Sequence, residues 1–307
     1  MRGKDGGKEM YDVIILGGGI AGMTAGIYAA RKGKNVLLLE KGICGGQINL
    51  AENVENYPGY SEISGPELSG KLQEQAILCG VKIENDGASY IDCLAGGTFE
   101  IRTEFEETYP TKQVILATGT EYRKLGVERE KELIGMGISY CAVCDGAFFR
   151  GREVAVVGGG NTAFQDAKYL SKLCKKIHLI HRRSQFSAEQ VVIDEVKQLE
   201  NVEIHTDYVV TKLLGDTMLS GVELTKKDGQ RMILDIGGLF VAVGRVPHGV
   251  ECSKKIACDE AGYYLTDEKC RTNIPGIYAV GDIRQKDLRQ LVTAAADGAI
   301  AATALAE

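Results

Sequence analysis

Apolar residues in this chain are concentrated in short unbroken runs, and two of these runs lead directly into a cluster of three glycines. The first cluster is Gly17–Gly19 and the second is Gly158–Gly160. Each is followed by a helical pattern, to about residue 32 and to about residue 173, and then by a second apolar run at 35–39 or 176–180. This order of strand, glycine-rich turn, helix and strand is typical of a dinucleotide-binding unit with buried parallel strands. The pattern therefore predicts two nucleotide sites.

Patterns around these units predict how the rest of the chain is arranged. Gly96–Gly97 and Asp228–Gly229 interrupt alternating segments, so each unit should carry some antiparallel sheet. Residues 291–306 are rich in alanine and predict a tightly packed helix. Buried strands that end in small residues recur at 114–119, 239–244 and 277–282. The last of these strands assigns the C-terminal segment to the first unit.

The predicted fold class is α/β, with two Rossmann-like dinucleotide-binding domains, the second inserted into the first, each with a small antiparallel sheet. The first domain would span residues 1–119 and 246–307, and the second would span residues 120–245. The chain passes from one domain to the other at two places, called here the chain crossings, which lie next to Gly119 and Gly244. Glycines there can absorb the backbone change of a hinge, so we expect one domain to rotate against the other during turnover.

Charge and composition exclude several classes of function. A formal net charge of −6 disfavours a nucleic-acid partner, which would require a basic face. No apolar run approaches the roughly 18–20 residues that span a bilayer. Residues 1–9 lack the apolar core of a secretory signal, and Met10 is a candidate for the natural start. We expect a cytoplasmic protein with no nucleic-acid and no membrane partner.

The cysteines predict one redox centre. There are nine, an odd number with mostly irregular spacing, which is typical of a reducing compartment. Cys141 and Cys144 form a CxxC pair, which can close a small disulfide. A zinc site is the alternative, although the sequence offers no second CxxC or His pair as further ligands. The other cysteines are predicted to be small buried residues. They are Cys44, Cys79, Cys93, Cys174, Cys252, Cys258 and Cys270.

Polar and aromatic residues near these motifs each allow a structural and a functional interpretation. Asp145 follows the CxxC pair, and it is either a helix cap or the general acid that protonates a thiolate. Phe148 and Phe149 are either core residues or contacts for a protein partner. The three histidines outside the nucleotide motifs are predicted to be structural at 178 and 205, which lie in strand-like runs, and a surface loop residue at 248.

The residue that follows the second strand of each unit predicts which nucleotide is bound. An acid about 20 residues after the first glycine accepts hydrogen bonds from ribose hydroxyls, and Glu40 occupies that position in the first unit. The same offset in the second unit leads to His181, followed by Arg182 and Arg183. These donors suit the 2′-phosphate of NADPH and leave no carboxylate to favour NADH. The alternative is a solvated basic strand end.

From about residue 11 to its C-terminus, the chain resembles the low-molecular-weight, bacterial-type thioredoxin reductases, which are flavoproteins of the pyridine nucleotide-disulfide oxidoreductase family. The redox pair inside the second nucleotide unit separates this group from other flavin disulfide reductases. The motifs that carry the resemblance are Gly45 to Gln47, Glu55 to Gly59, Ala117 to Gly119, Cys141 to Gly146, Gly158 to Ala163, His181 to Arg183, Gly281-Asp282 and Arg289-Gln290.

The resemblance implies FAD in the first domain and NADPH in the second. Glu40 would contact the ribose, Asp282 the phosphate–ribitol end, and a helix opened by Arg289 would point its N-terminus at the flavin. The implied FAD residues are Gly17, Gly19, Gly22, Glu40, Lys41, Gly45, Gly46, Gln47, Asn56, Ala117, Thr118, Gly119, Gly281, Asp282, Arg289, Gln290 and Leu291. The implied NADPH residues are Gly158, Gly160, Asn161, Thr162, Ala163, His181, Arg182 and Arg183.

The resemblance also implies the reaction. Hydride passes from NADPH to the flavin, and two electrons then reduce the Cys141–Cys144 disulfide. Cys144 would be the thiol that faces the flavin, and Cys141 would attack the disulfide of a thioredoxin-like partner. The family also suggests a homodimer.

Two departures from the family pattern leave other functions open. Ser187 stands where the family usually has an arginine, and Gln165 stands where it usually has a glutamate. Both positions belong to the pyridine-nucleotide site. The alternative functions are therefore a related flavin disulfide reductase that uses NADH or ferredoxin, or one that reduces another protein disulfide. A distant alternative is a zinc-stapled nucleotide-binding regulator without turnover.

Overall fold

The computed structural model describes residues 9–51 and 53–306, so residues 1–8 of the N-terminal segment lie outside the described residues. The chain forms two compact units. The first, called here the outer unit, comprises Met1–Glu121 and Val246–Glu307, and the second, called the inserted unit, comprises Tyr122–Arg245.

Strands and helices follow one another in the order expected of two α/β units that each carry a small additional sheet. The strands are β1 Val13–Leu16, β2 Val36–Leu39, β3 Lys82–Glu84, β4 Ala88–Cys93, β5 Phe99–Thr103, β6 Thr108–Thr111, β7 Val114–Leu116, β8 Thr120–Tyr122, β9 Ile138–Ser139, β10 Glu153–Val157, β11 Lys176–His181, β12 Val202–Thr206, β13 Tyr208–Leu214, β14 Gly221–Lys226, β15 Arg231–Asp235, β16 Gly238–Val241, β17 Arg245–Pro247, β18 Glu251–Cys252 and β19 Ile277–Ala279. The helices are α1 Ile20–Arg31, α2 Gly65–Leu78, α3 Ala142–Asp145, α4 Asn161–Ser171, α5 Gln190–Lys197 and α6 Leu291–Ala304.

The outer unit is built on a parallel five-stranded sheet in the order β19-β7-β1-β2-β3. Every residue of β1 and β2 is buried, because both faces of the sheet are covered. Val13 and Ile15 pack with α1, α2 and α6 on one face. Ile14 and Leu16 pack on the other face with residues of β4 and β5, which belong to a smaller four-stranded sheet.

The inserted unit repeats this plan. Its five-stranded parallel sheet has the order β12-β11-β10-β16-β9, and its antiparallel sheet is β13-β14-β15. Val154 and Val156 of β10 pack with α4 and α5, whereas Ala155 and Val157 pack with the small sheet. The predicted α/β class with two Rossmann-like units and small antiparallel sheets is confirmed.

The two chain crossings occur in β8 and β17, which pair with each other in a two-stranded sheet. Gly119, just before β8, has φ of 66°, and Gly244, just before β17, has φ of 99°. Both values lie in the left-handed region that glycine adopts without steric cost. The predicted rotation about these crossings stays a prediction.

No helix among the described residues combines the length and the apolar character needed to cross a membrane.

Candidate active site

The glycines between β1 and α1 meet three different steric demands. Gly17 has φ of 109°, and a Cβ on it would collide with the Ala117 carbonyl of the neighbouring strand end. A Cβ on Gly22 would collide with the Gly17 carbonyl, so this glycine lets the helix pack closely on the turn. A Cβ on Gly19, in contrast, would meet no atom within 4 Å. The turn therefore closes tightly and leaves open space at the helix N-terminus, which is the arrangement that a pyrophosphate requires.

Glu40 lies at the end of β2, beside this turn. Its carboxylate accepts the backbone N–H of Gly18 at 2.7 Å through Oε2 and that of Gly42 at 2.8 Å through Oε1. A carboxylate offers about four acceptor positions. Two bonds hold its orientation, and lone pairs remain for ribose hydroxyls.

The residues that follow Glu40 in the chain form another side of the predicted FAD site, called here the second wall. Gly45 has φ of 108°, and its N–H donates to the Gly18 carbonyl at 2.7 Å, which ties this wall to the glycine turn. Gly46 opens a short 3-10 helix, and Gln47 donates to the Thr120 hydroxyl at 3.0 Å.

The remaining residues of this wall lie at loop positions. Exposed Lys41 comes within 3.5 Å of His248, and the Thr118 hydroxyl donates to the carbonyl of the same histidine. The His248 N–H donates in turn to the carbonyl of Gly119 at 3.0 Å.

The start of α6 forms a third part of the outer-unit site. Gln290 is the N-cap residue of the helix, and its side chain and that of Thr293 form a reciprocal capping box. Asn56 donates to the Gln290 side chain at 3.1 Å, and Leu291 is the first helical residue. Arg289 stacks its guanidinium 4.1 Å from the centre of the Tyr263 ring. Its Nε is buried and has no hydrogen-bond partner among the described residues, so this donor is free for a bound group.

Close helix packing positions α6. A Cβ on Gly298 would collide with the Ala21 carbonyl of α1, so the two helices approach to backbone contact. The 3-10 turn Gly281–Ile283 precedes α6 and carries half-buried Asp282. The Gly281 N–H donates at 3.0 Å to Asp297, a buried residue of α6. This hydrogen bond ties the 3-10 turn to α6.

The glycine turn of the inserted unit follows the same steric logic. A Cβ on Gly158 would collide with the Ala242 carbonyl, and fully buried Ala163 packs against Gly158 in place of a third glycine. Gly160 is the N-cap of α4, and the atom nearest to a Cβ there would be the Ser187 hydroxyl, at 3.6 Å. Asn161 is held by Glu189, whose backbone N–H donates to the Asn161 side chain at 2.7 Å.

His181 occupies in this unit the place that Glu40 occupies in the outer unit. A Cβ on Gly18 would touch the Glu40 side chain, and a Cβ on Gly159 would collide with the His181 ring. The His181 Nε2 lies 3.0 Å from the Gln185 carbonyl, and burial lowers the pKa of its imidazole. The ring is therefore largely neutral at neutral pH, and the positive charge at this strand end comes from the two arginines that follow.

Arg182 and Arg183 are exposed and form no ion pair with any residue that the structure describes. Thr162 and Gln165 are exposed on the first turns of α4. Ser187 donates to the Gly159 carbonyl through its N–H at 2.8 Å and through its hydroxyl at 3.3 Å. The residue that departs from the family pattern thus braces the glycine turn.

The CxxC pair is closed as a disulfide at the start of α3. Cys141 is the N-cap residue, and its Sγ accepts the backbone N–H of Cys144 at 3.2 Å. A hydrogen bond of this kind favours the thiolate form after reduction. Cys144 is the more exposed of the two residues.

Asp145 is oriented by a residue that the sequence analysis missed. The Ser139 hydroxyl donates to Asp145 Oδ2 at 2.7 Å, and the Ser139 hydroxyl oxygen in turn accepts the N–H of Cys141 at 3.0 Å. Asp145 is the N-cap residue of the 3-10 helix Gly146–Phe149, but its side chain makes no capping hydrogen bond there and is bonded to Ser139 instead. A serine two residues before the first cysteine is the sequence signal that marks this support.

Several expectations about the cysteines need correction. Cys44, Cys174 and Cys270 are buried as predicted, but Cys258 is exposed and Cys79, Cys93 and Cys252 are only partly buried. The Sγ atoms of Cys93 and Cys252 lie 3.7 Å apart, because β18 pairs with β4. His248 is half-buried in a loop, where its Nδ1 lies 3.4 Å from Glu121.

The sequence offered no close His pair, yet strand pairing brings His178 and His205 together. His178 Nδ1 lies 3.0 Å from His205 Nε2, and both rings are buried. Among the described residues, the cluster with metal-ligating geometry consists of these two residues and Glu203. It includes neither Cys141 nor Cys144, which disfavours a zinc site at the CxxC pair.

Comparison with known proteins now decides the family. A family model described as pyridine nucleotide-disulphide oxidoreductase matches residues 11–298. The chain belongs to this family. It is 42% identical over 301 residues to a thioredoxin reductase of Listeria innocua, with 96% of this chain and 92% of the relative covered. It is 40% identical over 299 residues to a thioredoxin reductase of Bacillus subtilis, with 96% and 93% covered.

A solved structure shows the same likeness. A thioredoxin reductase of Lactococcus lactis superimposes on the chain with a TM-score of 0.86 at 43% identity, with 95% of this chain and 97% of that protein covered. The predicted resemblance to the bacterial thioredoxin reductases is confirmed.

Proposed function

We propose that this chain reduces the disulfide of a thioredoxin-like protein with electrons from NADPH, through FAD and the Cys141–Cys144 disulfide. One observation carries the proposal. The inserted unit holds both the CxxC disulfide and a glycine turn, and the second strand of this nucleotide unit is followed by two arginines that form no ion pair with a described residue. The outer unit supplies a second glycine turn with a carboxylate in the matching place.

The outer unit fits FAD. The open space at Gly19 would receive the pyrophosphate, and the remaining lone pairs of Glu40 would accept the ribose hydroxyls. The free Nε of Arg289 and the start of α6 would meet the flavin end. Together the two nucleotides supply hydride transfer and the storage of two electrons.

The inserted unit fits NADPH. Gly160 at the N-terminus of α4 would approach the pyrophosphate, and Arg182 and Arg183 would contact the 2′-phosphate. His181 would lie against the adenosine ribose as a largely neutral donor or acceptor.

The thiol chemistry follows from the contacts around α3. After reduction, the Cys144 N–H stabilises a thiolate at Cys141, which attacks the partner disulfide. A mixed disulfide forms as one partner sulfur leaves as a thiolate, and Cys144 then displaces the second partner sulfur and restores the Cys141–Cys144 bond. Asp145, which the Ser139 hydroxyl orients, would hold the proton that the departing thiolate needs.

The test is anaerobic stopped-flow reduction of the purified flavoprotein by NADPH, NADH and reduced ferredoxin in parallel, followed by addition of oxidised thioredoxin. NADPH should reduce the flavin fastest, and thioredoxin should then reoxidise it. A flavin that NADPH leaves oxidised, or a reduced protein that leaves thioredoxin oxidised, would contradict the proposal.

A second candidate is a reductase of the same disulfide that takes electrons from another donor. Ser187 favours it, because an arginine at this position would add a third cation for the 2′-phosphate and the serine instead braces the glycine turn. Faster flavin reduction by NADH or ferredoxin than by NADPH would select this candidate.

Assembly and cellular site are part of the proposal. The family resemblance supports a homodimer, which sedimentation of the flavin-loaded protein would test. The odd cysteine number supports action in the reducing cytoplasm, and the thioredoxin that copurifies with a Cys144→Ser variant from the native host would identify the partner.

A further inference from the structure

Strand pairing in the inserted unit gathers a group of metal-ligating side chains that the disulfide chemistry does not use. In the parallel register, His178 of β11 is directly opposite Glu203 of β12, and His205 follows two residues later on the same face. Ala155 of β10 is opposite His178 and packs with the small sheet, so the histidines lie on the face that this sheet covers. The His178 and His205 side chains are 6% and 8% exposed, whereas that of Glu203 is 50% exposed.

The three side chains converge on one region of space. His178 Nδ1 lies 3.0 Å from His205 Nε2, and the Glu203 oxygens lie 3.9 Å and 3.7 Å from these two nitrogens. Two ligands of a tetrahedral zinc ion, each about 2.0–2.2 Å from the metal, are separated by about 3.3–3.5 Å. The 3.9 Å distance from His178 goes to Glu203 Oε2 and the 3.7 Å distance from His205 goes to Oε1, and one ligand atom from each of the three residues lies within 4.8 Å of the other two. A modest rotation of the exposed Glu203 side chain would therefore complete the coordination.

A carboxylate lies on the far side of His178. The His178 Nε2 lies 3.8 Å from Glu153 Oε2, on the neighbouring strand β10, which is beyond hydrogen-bonding distance. A small shift of the Glu153 side chain would let this carboxylate hold the proton on Nε2 and leave Nδ1 free to bind a metal. In the structure the two ring nitrogens that would bind the metal are hydrogen-bonded to each other, and Lys176 pairs with Glu203 at 2.6 Å.

We propose that His178, His205 and Glu203 bind one divalent transition-metal ion, with zinc the ion that this donor set favours. Two imidazoles and one carboxylate are a common ligand set for zinc, and water would take the fourth position. Exposed Glu203 provides the path of entry. When the ion binds, the hydrogen bond between the rings is replaced by two metal–nitrogen bonds, and Lys176 moves into solvent. The ion then links the edge strand β12 to β11, which stabilises the inserted unit.

The experiment is calorimetric titration of zinc chloride into the flavin-loaded protein with the Cys141–Cys144 disulfide oxidised. We expect one zinc ion per chain and a thermal unfolding temperature that rises with zinc concentration. His205→Gln and Glu203→Gln should weaken binding at least roughly tenfold, and Glu153→Gln should weaken it by about the same factor through His178. His248→Gln, which removes a histidine of the outer unit, is the matched control and should bind zinc like the unaltered protein.

Two results would overturn the proposal. One is zinc binding that persists at full strength in both His205→Gln and Glu203→Gln, which would assign the ion to the free thiols. The other is a loss of zinc affinity in the His248→Gln control as large as that in His205→Gln and Glu203→Gln. Because Glu203 is exposed, its substitution should fold even if His205→Gln does not, and zinc-free circular dichroism checks this. The readout needs no turnover, so its result is independent of the proposed reductase activity.

Discussion

The Glu40 carboxylate accepts a 2.7 Å hydrogen bond from the backbone N–H of Gly18, the central glycine of the outer-unit turn. His181 packs against Gly159, the central glycine of the other turn, in the same relative place. The two units thus share one geometry and differ in the chemistry of one side chain. An acceptor suits a bare ribose, and a neutral ring followed by two arginines suits a phosphorylated one.

Glu40→Ala should weaken retention of FAD. The substitution removes hydrogen bonds to ribose hydroxyls, each worth about 1.5–3 kcal/mol for a charged acceptor, and it also frees the Gly18 and Gly42 N–H groups. Flavin release during dialysis measures the effect. Glu40→Gln is the matched control: it keeps one acceptor oxygen and should retain more flavin than Glu40→Ala. Equal retention by all three proteins would exclude Glu40 from the FAD site.

Arg182→Ala combined with Arg183→Ala should remove the preference for NADPH. Two charged contacts to the 2′-phosphate, at about 1.5–3 kcal/mol each, correspond to a rise in the NADPH KM of at least roughly 10²-fold. The KM for NADH should change little, because NADH lacks that phosphate. Steady-state kinetics with both nucleotides makes the comparison, and parallel loss with NADH would show general damage to the unit.

Cys144→Ser should trap a mixed disulfide with thioredoxin, and Cys141→Ser should not. The reason is that Cys141 Sγ accepts the backbone N–H at position 144, which favours its thiolate and its role as the attacking sulfur. The backbone donor survives in Cys144→Ser. Non-reducing electrophoresis with a thioredoxin that lacks its resolving cysteine detects the adduct. If the adduct forms only with Cys141→Ser, the two roles are reversed.

Asp145→Asn should lower thioredoxin turnover by roughly 10²-fold, the lower end of the range for general acid–base catalysis. Flavin reduction by NADPH should keep its rate, because that step does not use the thiols. Ser139→Ala removes the hydroxyl that orients Asp145 and should give a smaller loss. If Asp145→Asn reduces thioredoxin at the same rate as the unaltered protein, Asp145 has no catalytic role.

Phe148→Ala should raise the KM for thioredoxin, whereas Phe149→Ala should lower stability. Phe148 is 76% exposed, so it is free to contact a partner. Phe149 packs edge-on against buried Phe240, with ring centres 5.3 Å apart, and its loss should cost up to about 3 kcal/mol of unfolding free energy. Kinetics with thioredoxin and thermal melts separate the two effects. An unchanged KM in Phe148→Ala would remove it from the docking surface.

The sequence alone determined the nucleotide-binding architecture, because its signals are local. A buried strand, a glycine turn and a helix are adjacent in the chain, so Gly17 and Gly158 could be assigned their roles before any fold was known. The CxxC pair is local too, and the offset from glycine to Glu40 or His181 survives folding because one helix and one strand of regular length separate them.

Only the tertiary structure decided the contacts between residues that lie far apart in the chain. The Cys93–Cys252 contact and the His178–His205 pair depend on which strands are neighbours and in what register they pair. The spacing of residues along the chain does not reveal the strand order or the register. The two phenylalanines look alike in the sequence, and packing against β16 is what separates them. Short-range order follows from the chain itself, whereas side chains from different strands meet only once burial of the core has set the order and the register of the sheet.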